Sequence, residues 1–284
     1  MLDPHPHEET SLPRHAAPAV TAADSAPGIV RLALELRAPW ELGAALAAMP
    51  FLRGAPNGDG HPVLVFPGLG AGDLTTVVMR RFLCERGYSA HAWQQGLNVG
   101  PRPGVLEACV ARVRQLHAEH GRRVSLVGWS LGGVYAREIA KMLPGDVRVV
   151  VTLGAPFSGS PKATNAWRVY QLVSGEKEID AARFAALKVT PGVPTTSIFS
   201  RTDGVVAWQC SVERETAQSE NIEVHASHIG MGLNPTALYA IADRLAQPEG
   251  QWRRFDREAH TGIKKLLFRD PQRATWLNTV FGLY

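Results

Sequence analysis

Short apolar runs alternate with longer amphipathic stretches between residues 61 and 247, and this alternation limits the folds that the chain can adopt. A short apolar run bounded by glycine or proline predicts a buried strand, whereas apolar residues at every third or fourth position predict a helix. Strands are predicted at 63–66, 90–93, 124–127, 147–153, 195–199 and 222–224, and helices at 74–86, 104–120, 131–143 and 235–246. The pattern predicts an α/β fold, in which a mostly parallel sheet of about six strands carries helices on both faces.

The regions outside this alternation divide the 284-residue chain into four parts. Residues 1–27 are rich in Pro, His and acidic residues and lack the basic start and apolar run of a secretory signal, so we predict a disordered leader. Residues 28–60 are predicted to be a helical segment, and residues 61–247 to be the main domain. Residues 248–284 are predicted to be a basic amphipathic segment that packs on this domain.

Both terminal segments have apolar residues at helical spacing, among them Ile29, Leu36 and Leu46 in the first segment. We expect these apolar faces to pack on the main domain, because packed amphipathic helices are common in globular proteins. An alternative for residues 248–284 is weak contact with a membrane surface. Within the main domain, Asp73 is predicted to cap the helix at 74–86.

Charge and composition exclude several classes of protein. The net charge is +4, and residues 249–284 have seven Lys or Arg against four Asp or Glu, without a nucleic-acid recognition motif. We therefore expect no nucleic-acid partner. No run of 18 apolar residues predicts a membrane span. Three distant cysteines favour neither disulfides nor a metal site, which indicates a reducing, cytoplasmic compartment, with peripheral contact at the membrane as the alternative.

The sequence G-x-S-x-G occurs directly after the predicted strand 124–127 and before the predicted helix 131–143. In this setting the motif forms a sharp turn that lifts its serine above the edge of the sheet. Ser130 is therefore the candidate nucleophile, and Gly128 and Gly132 are the glycines that the tight turn needs. A glycine-rich turn that happens to contain a serine is the structural alternative, but the strand before it and the helix after it favour catalysis.

A serine hydroxyl needs a base that removes its proton, and the base needs an acid that orients it. In a turn of this kind the chain order is serine, then acid, then histidine. Asp203 follows the predicted strand 195–199, and His228 follows the predicted strand 222–224. Asp203 could instead form an ordinary Asp-Gly turn. His225 competes with His228 for the role of base, but it lies at or within the strand, so His228 is preferred.

The negative oxygen that forms during acyl transfer needs two N–H donors. One is expected from Leu131, directly after the candidate nucleophile. The other is expected from the glycine-rich loop after the first predicted strand, with Leu69 as the preferred donor. A plain connecting loop is the alternative for this second position.

Five short motifs together resemble the lipase and esterase branch of the α/β-hydrolase superfamily over about residues 61–246. The resemblance implies the α/β-hydrolase fold and a serine hydrolase that forms an acyl-enzyme intermediate on a small-molecule or lipid ester, without a cofactor or metal. Many such lipases have His-Gly where this chain has Pro67-Gly68, a difference that leaves the backbone donor in place. The motifs are Phe66-Pro67-Gly68-Leu69-Gly70, Gly128-Trp129-Ser130-Leu131-Gly132-Gly133, Thr152-Leu153-Gly154-Ala155-Pro156, Asp203-Gly204 and Ser227-His228.

Residues 157–194 separate two predicted strands and are expected to form a small helical cap over the site, where inserts of this fold often line the pocket. An ordinary packed excursion is the alternative. The candidate substrate-binding residues are Trp129, Phe157, Trp167 and Tyr170, and an apolar cap of this size would suit an acyl chain.

Two other functions remain open at this point. An acyltransferase would use the same three residues and differ only in its acceptor, which the sequence does not reveal. A non-catalytic binding protein of the same fold is disfavoured, because Ser130, Asp203 and His228 are all present. The sequence predicts no oligomeric state.

Overall fold

The computed structural model describes residues 25–159, 163, 185–257 and 268, without the side chains of Ala45 and Met49. Residues 1–24 of the predicted leader lie outside the described residues. So do residues 160–162 and 164–184 of the predicted cap, and 258–267 and 269–284 of the tail. The predictions for those parts therefore stay predictions.

Six parallel strands form one sheet in the order β2-β1-β3-β4-β5-β6. The α/β prediction of a parallel sheet of about six strands is therefore confirmed. Every residue of β1 and β4 is buried, as expected for apolar strands that are covered on both faces. The strands are β1 Pro62–Phe66, β2 Ser89–Ala92, β3 Val124–Trp129, β4 Val147–Leu153, β5 Thr195–Phe199 and β6 Ser219–Glu223.

Helices cover both faces of the sheet and form two apolar cores. One core contains side chains of α3, α4 and α7, and the other contains side chains of α5 and α6. Burial of each large apolar side chain contributes about 1.5–3 kcal/mol, so the two cores stabilise the packing of the helices on the sheet. The helices are α1 Ile29–Ala33, α2 Ala38–Ala47, α3 Met49–Arg53, α4 Val77–Glu85, α5 Val105–His120, α6 Leu131–Met142 and α7 Pro235–Leu245. Short 3-10 helices occur at Leu34–Arg37, Asp73–Thr76 and Trp208–Ser211.

The predicted role of Asp73 as a helix cap is wrong. Asp73 is the first residue of a 3-10 turn, and Gly72 precedes that turn in the cap position without a side-chain hydrogen bond. The carbonyl of Asp73 instead accepts hydrogen bonds from Thr76 and Arg80. The turn therefore starts α4 through backbone and arginine contacts.

Residues 29–37 of the N-terminal segment pack on the domain with a different side from the one that their apolar spacing predicts. Ile29 and Leu36 are each 81% exposed, whereas Glu35 is only 5% exposed. The expectation that the apolar side of this segment faces the domain is therefore wrong for these residues. A polar side meets the domain because its partners there are backbone N–H groups and hydroxyls.

The described part of the tail contacts the edge strand β6 and helix α7. Residues 251–257 have no regular secondary structure, but Phe255 and Phe268 are buried with their ring centroids 4.7 Å apart. Phe268 also lies 5.8 Å from the ring of Tyr239 on α7. Among the helices that the structure describes, none has the length and apolar character needed to cross a bilayer.

Candidate active site

Four loops that carry the predicted site residues follow the carboxyl ends of strands in one sheet. Strand β1 lies between β2 and β3, so the direction of the connections reverses between β1 and β3. In open α/β sheets, ligands bind beyond the carboxyl ends of the strands at such a reversal. Leu69 follows β1 and Ser130 follows β3, while Asp203 and His228 follow β5 and β6.

Ser130 occupies a strained turn between β3 and α6. Its φ of 54° and ψ of −125° lie in a region that non-glycine residues avoid, and such a conformation costs about 1–3 kcal/mol. A side chain on Gly128 would overlap the carbonyl of Gly132, and one on Gly132 would overlap the carbonyl of Phe66. The two predicted glycines therefore allow the close approach that holds Ser130 in this turn.

The structure brings the three predicted side chains together. Ser130 Oγ lies 2.8 Å from His228 Nε2, and His228 Nδ1 lies 2.6 Å from Asp203 Oδ2. Asp203 Oδ1 also accepts hydrogen bonds from the N–H groups of Val205 (2.8 Å) and Val206 (2.7 Å), which fix the orientation of the carboxylate. An ionised Asp203 requires a proton on His228 Nδ1, and Nε2 is then free to accept the proton of Ser130.

The competing histidine lies elsewhere. His225 is exposed, whereas Ser130, Asp203 and His228 are each less than 5% exposed. Burial of the His228 imidazole disfavours its charged form. The charge of Asp203, its hydrogen bond and the charge of Glu35 act in the opposite direction and raise the pKa of His228 above the ordinary value.

The backbone N–H groups of Leu69 and Leu131, the two predicted donors, have no acceptor among the described residues. Leu131 is the first residue of the 12-residue helix α6, whose N-terminus favours negative charge. Gly68 lies so close to the nucleophile that a side chain there would place its Cβ 3.2 Å from Ser130 Cβ. Leu131 follows Ser130 directly and Leu69 follows Gly68, and the roles of their two N–H groups as oxyanion donors stay predictions.

A buried asparagine, which the sequence analysis missed, holds the loop of Leu69. Asn98 is fully buried, and its side-chain amide donates to the carbonyl of Pro67 at 2.8 Å. Its backbone N–H donates to the carbonyl of Ala71, and its carbonyl accepts from Gly70, at 2.8 and 2.7 Å. These three bonds bridge the loops after β1 and β2, so they fix the path of the chain through Leu69.

The predicted substrate-binding residues have different surroundings. Trp129 is half-buried, and its indole N–H donates to the carbonyl of His228 at 2.9 Å. Phe157 is 1% exposed and lies beneath the guanidinium of Arg137, 3.8 Å from the ring centroid. Trp167 and Tyr170 lie outside the described residues. Roles in substrate binding stay predictions for all four.

Metal-binding clusters of three or more His, Cys, Asp or Glu side chains do not occur in the parts of the chain that the structure describes. A separate group at the opposite end of the sheet contains the same residue types as the candidate site. His61 contacts Asp59 at 2.5 Å and Ser125 at 2.9 Å, but His61 and Ser125 are fully buried. No surface of His61 or Ser125 is exposed, whereas Ser130 and His228 each keep 4% of theirs, so we assign the second group a structural role.

Comparisons with known proteins concern the fold. No family model and no curated protein matches the sequence. Lipase B from Aspergillus fumigatus matches with a TM-score of 0.54 and 17% sequence identity, over 68% of this chain and 54% of the lipase chain. An α/β superfamily hydrolase from Oenococcus oeni PSU-1 matches with a TM-score of 0.46 and 18% identity, over 66% of this chain and 91% of that chain.

The present chain thus spans about half the length of the Aspergillus lipase. At these identities the likeness concerns the fold alone, and a TM-score of 0.46 adds no further support. The parallel sheet, the strained serine turn after β3 and the match to the lipase together show that this chain has the α/β-hydrolase fold.

Proposed function

We propose that the chain is a serine hydrolase that cleaves carboxylic esters through an acyl-enzyme intermediate. The observation that carries this proposal is the connected series Ser130 Oγ, His228 Nε2, His228 Nδ1 and Asp203 Oδ2, with separations of 2.8 and 2.6 Å. Such distances allow a histidine to accept the serine proton directly. The lipase that shares the fold is named for the hydrolysis of esters, which favours this substrate class.

In the acylation half of the proposed reaction, Ser130 Oγ attacks the ester carbonyl carbon while His228 Nε2 takes its proton. The carbonyl π electrons move to oxygen, and the N–H groups of Leu69 and Leu131 donate hydrogen bonds to the resulting oxyanion. Collapse of this intermediate breaks the bond to the alcohol oxygen. His228 returns its proton to that oxygen, so the alcohol leaves neutral and the acyl group stays on Ser130.

In the deacylation half, water takes the place of the alcohol. His228 Nε2 removes a proton from water as its oxygen attacks the acyl carbon, and the same two N–H groups stabilise the second oxyanion. Collapse releases the carboxylic acid, and the proton on His228 returns to Ser130 Oγ. Asp203 stays ionised throughout and stabilises the imidazolium that forms in each half.

Hydrolysis of p-nitrophenyl esters from acetate to palmitate, by the wild type and by Ser130→Ala, tests this proposal. We expect turnover by the wild type and a loss of at least about 10⁴-fold in kcat for the variant. Equal rates for the two proteins would contradict it. A series with added alcohols distinguishes acyl transfer, because preferential formation of a new ester over the free acid would overturn hydrolysis as the main reaction.

A further inference from the structure

A buried carboxylate from the N-terminal segment contacts both loops that carry the partners of Ser130. Glu35 Oε1 accepts hydrogen bonds from the N–H groups of Gly204 and His228, at 2.8 and 2.9 Å. Glu35 Oε2 accepts from the N–H of Ile229 at 2.9 Å. One side chain thus joins the residue that follows Asp203 to the backbone of His228 itself.

The same segment makes a second set of contacts with the two loops. Arg37 donates to the hydroxyl of Thr202 at 2.8 Å and to its carbonyl at 3.1 Å. Glu41 accepts from the N–H and hydroxyl of Ser227, each at 2.6 Å, and pairs with Arg37 at 3.3 Å. Contacts from one short segment therefore reach the residue before Asp203 and the residue before His228.

Gly204 and Gly230 lie just after Asp203 and His228, and they explain how closely the N-terminal segment approaches the two loops. A side chain on Gly204 would overlap the carbonyl of Arg31, and one on Gly230 would overlap the carboxylate of Glu41. Only glycine leaves room for the N-terminal segment at both places. The fit indicates that the segment and the two loops form one packed unit.

The charge of Glu35 has no cationic partner within the described chain, where no arginine or lysine forms an ion pair with it. Three backbone N–H groups stabilise this carboxylate instead, as they can for an ionised group. The charged groups that act on the His228 imidazole are Asp203 and Glu35. Glu41 lies six residues further along the segment, where Arg37 offsets its charge.

We propose that Glu35 is a positioning residue that holds the loops of Asp203 and His228 in register and favours the imidazolium of the reaction through its charge. This inference rests on the proposed function. Glu35 reaches the backbone of His228 and contacts neither Ser130 nor the place of the ester. Its expected influence is therefore on kcat and on the protonation of His228, and much less on KM.

Glu35→Gln is the direct test, because it keeps the size of the side chain and removes its charge. The new amide group would place N–H donors against at least one backbone N–H, so the loops should shift. We expect kcat to fall about 10- to 100-fold, in line with the effect of small displacements at an active site. The pKa of His228, followed by NMR of its imidazole, should fall, while KM changes less than about twofold.

Glu220→Gln is the matched control. Glu220 is also buried, at 3% exposed, and also accepts three hydrogen bonds, from Thr196, Arg244 and Phe255. It lies in β6 away from the three candidate residues. We expect this variant to lose thermal stability but to keep the wild-type kcat and the wild-type pKa of His228. Equal changes in both variants would overturn a specific role of Glu35.

A folded Glu35→Gln variant with the wild-type kcat and the wild-type pKa of His228 would also overturn the proposal. If Glu35→Gln does not fold, Glu35→Asp takes its place, because it keeps the charge but is too short to reach all three N–H groups. The pKa of His228 should then stay near the wild-type value while kcat falls, and an unchanged kcat would contradict the positioning role.

The imidazole titration requires no turnover, so it separates this inference from the proposed function. A wild type that hydrolyses no ester would contradict the proposed function, yet the pKa of His228 in the two proteins would still test Glu35. A fully active wild type with an unaffected Glu35→Gln variant would contradict only the role of Glu35.

Discussion

The side-chain amide of Asn98 donates a hydrogen bond to the carbonyl of Pro67 at 2.8 Å, and this bond ties the loop after β2 to the loop that carries Leu69. The predicted oxyanion donor is thus held by a residue about thirty positions further along the chain. Loss of a single oxyanion donor costs about 10²–10³ in kcat in other hydrolases, so displacement of this loop should have a measurable effect.

Asn98→Ala should lower kcat about 10- to 100-fold with little change in KM, because the loop loses its side-chain anchor while the donor itself remains. Steady-state kinetics on a p-nitrophenyl ester measure this effect. Gln95→Ala is the control from the same loop, since the side chain of Gln95 makes a long 3.4 Å bond to the carbonyl of Trp93 and no other bond to the described residues. Equal kcat values for Asn98→Ala and the control would refute the anchoring role.

Asp203→Asn should keep the fold and lower kcat about 10⁴-fold, the loss expected when the histidine takes the wrong tautomer. The amide would present N–H to His228 Nδ1, which would move the proton to Nε2 and block transfer from Ser130. Asp146→Asn is a suitable control, because Asp146 also contacts a histidine, His117, at 2.6 Å away from the site. A kcat for Asp203→Asn within tenfold of the control would show that Asp203 is not the acid.

The raised pKa of His228 predicts the pH dependence of activity. The base must be neutral to accept a proton, so kcat/KM should fall as the pH decreases through the pKa of His228 in the free enzyme. The pKa of His228 is raised above the ordinary 6.5. The pH at which kcat/KM falls to half of its maximum should therefore lie above 6.5. A pH profile of kcat/KM checks this, and a midpoint below 6.5 would contradict the charge effects of Asp203 and Glu35.

The second histidine group predicts the pH dependence of stability. Burial, together with the positive charge of Arg148, lowers the pKa of His61 to about 4, and its contacts with Asp59 only partly oppose this. Between pH 6.5 and 4 the unfolded state therefore binds a proton at this residue that the folded state does not, so the free energy of unfolding falls as the pH decreases. The decrease should approach about 3 kcal/mol at pH 4.

Urea unfolding at pH 7.5, 5.5 and 4.5 measures this effect, with His61→Gln as the comparison. The variant should be less stable at pH 7.5 because it loses buried hydrogen bonds, but its stability should change less between pH 7.5 and 4.5. Parallel curves for the two proteins would show that His61 is not the group responsible.

Much of the fold could be predicted from the sequence because apolar patterning is local. The predicted strands 147–153 and 195–199 match β4 and β5 at both ends. Strand β6 begins three residues before its prediction because Ser219, Glu220 and Asn221 are polar. These polar side chains are buried only because distant partners satisfy them, such as Arg244 for Glu220 at 2.9 Å. No local pattern reveals such partners.

The candidate site also contains residues that the sequence identifies and residues that it does not. Ser130, Asp203 and His228 could be selected because each follows a strand in the required order, and the structure brings them together. Asn98 and Glu35 carry no motif, and their contacts are with backbone groups of distant residues, so the sequence gives little sign of them. In the sequence, Glu35 is one acidic residue between Leu34 and Leu36, and this setting does not indicate which groups it contacts.

Covalent labelling tests the central claim most directly. A fluorophosphonate should react with the wild type, and peptide mass spectrometry should place the adduct on Ser130, because its Oγ lies 2.8 Å from His228 Nε2. Ser130→Ala should not react, and His228→Ala should react far more slowly. An adduct on Ser227 or Ser158, or no adduct on a folded wild type, would contradict the account.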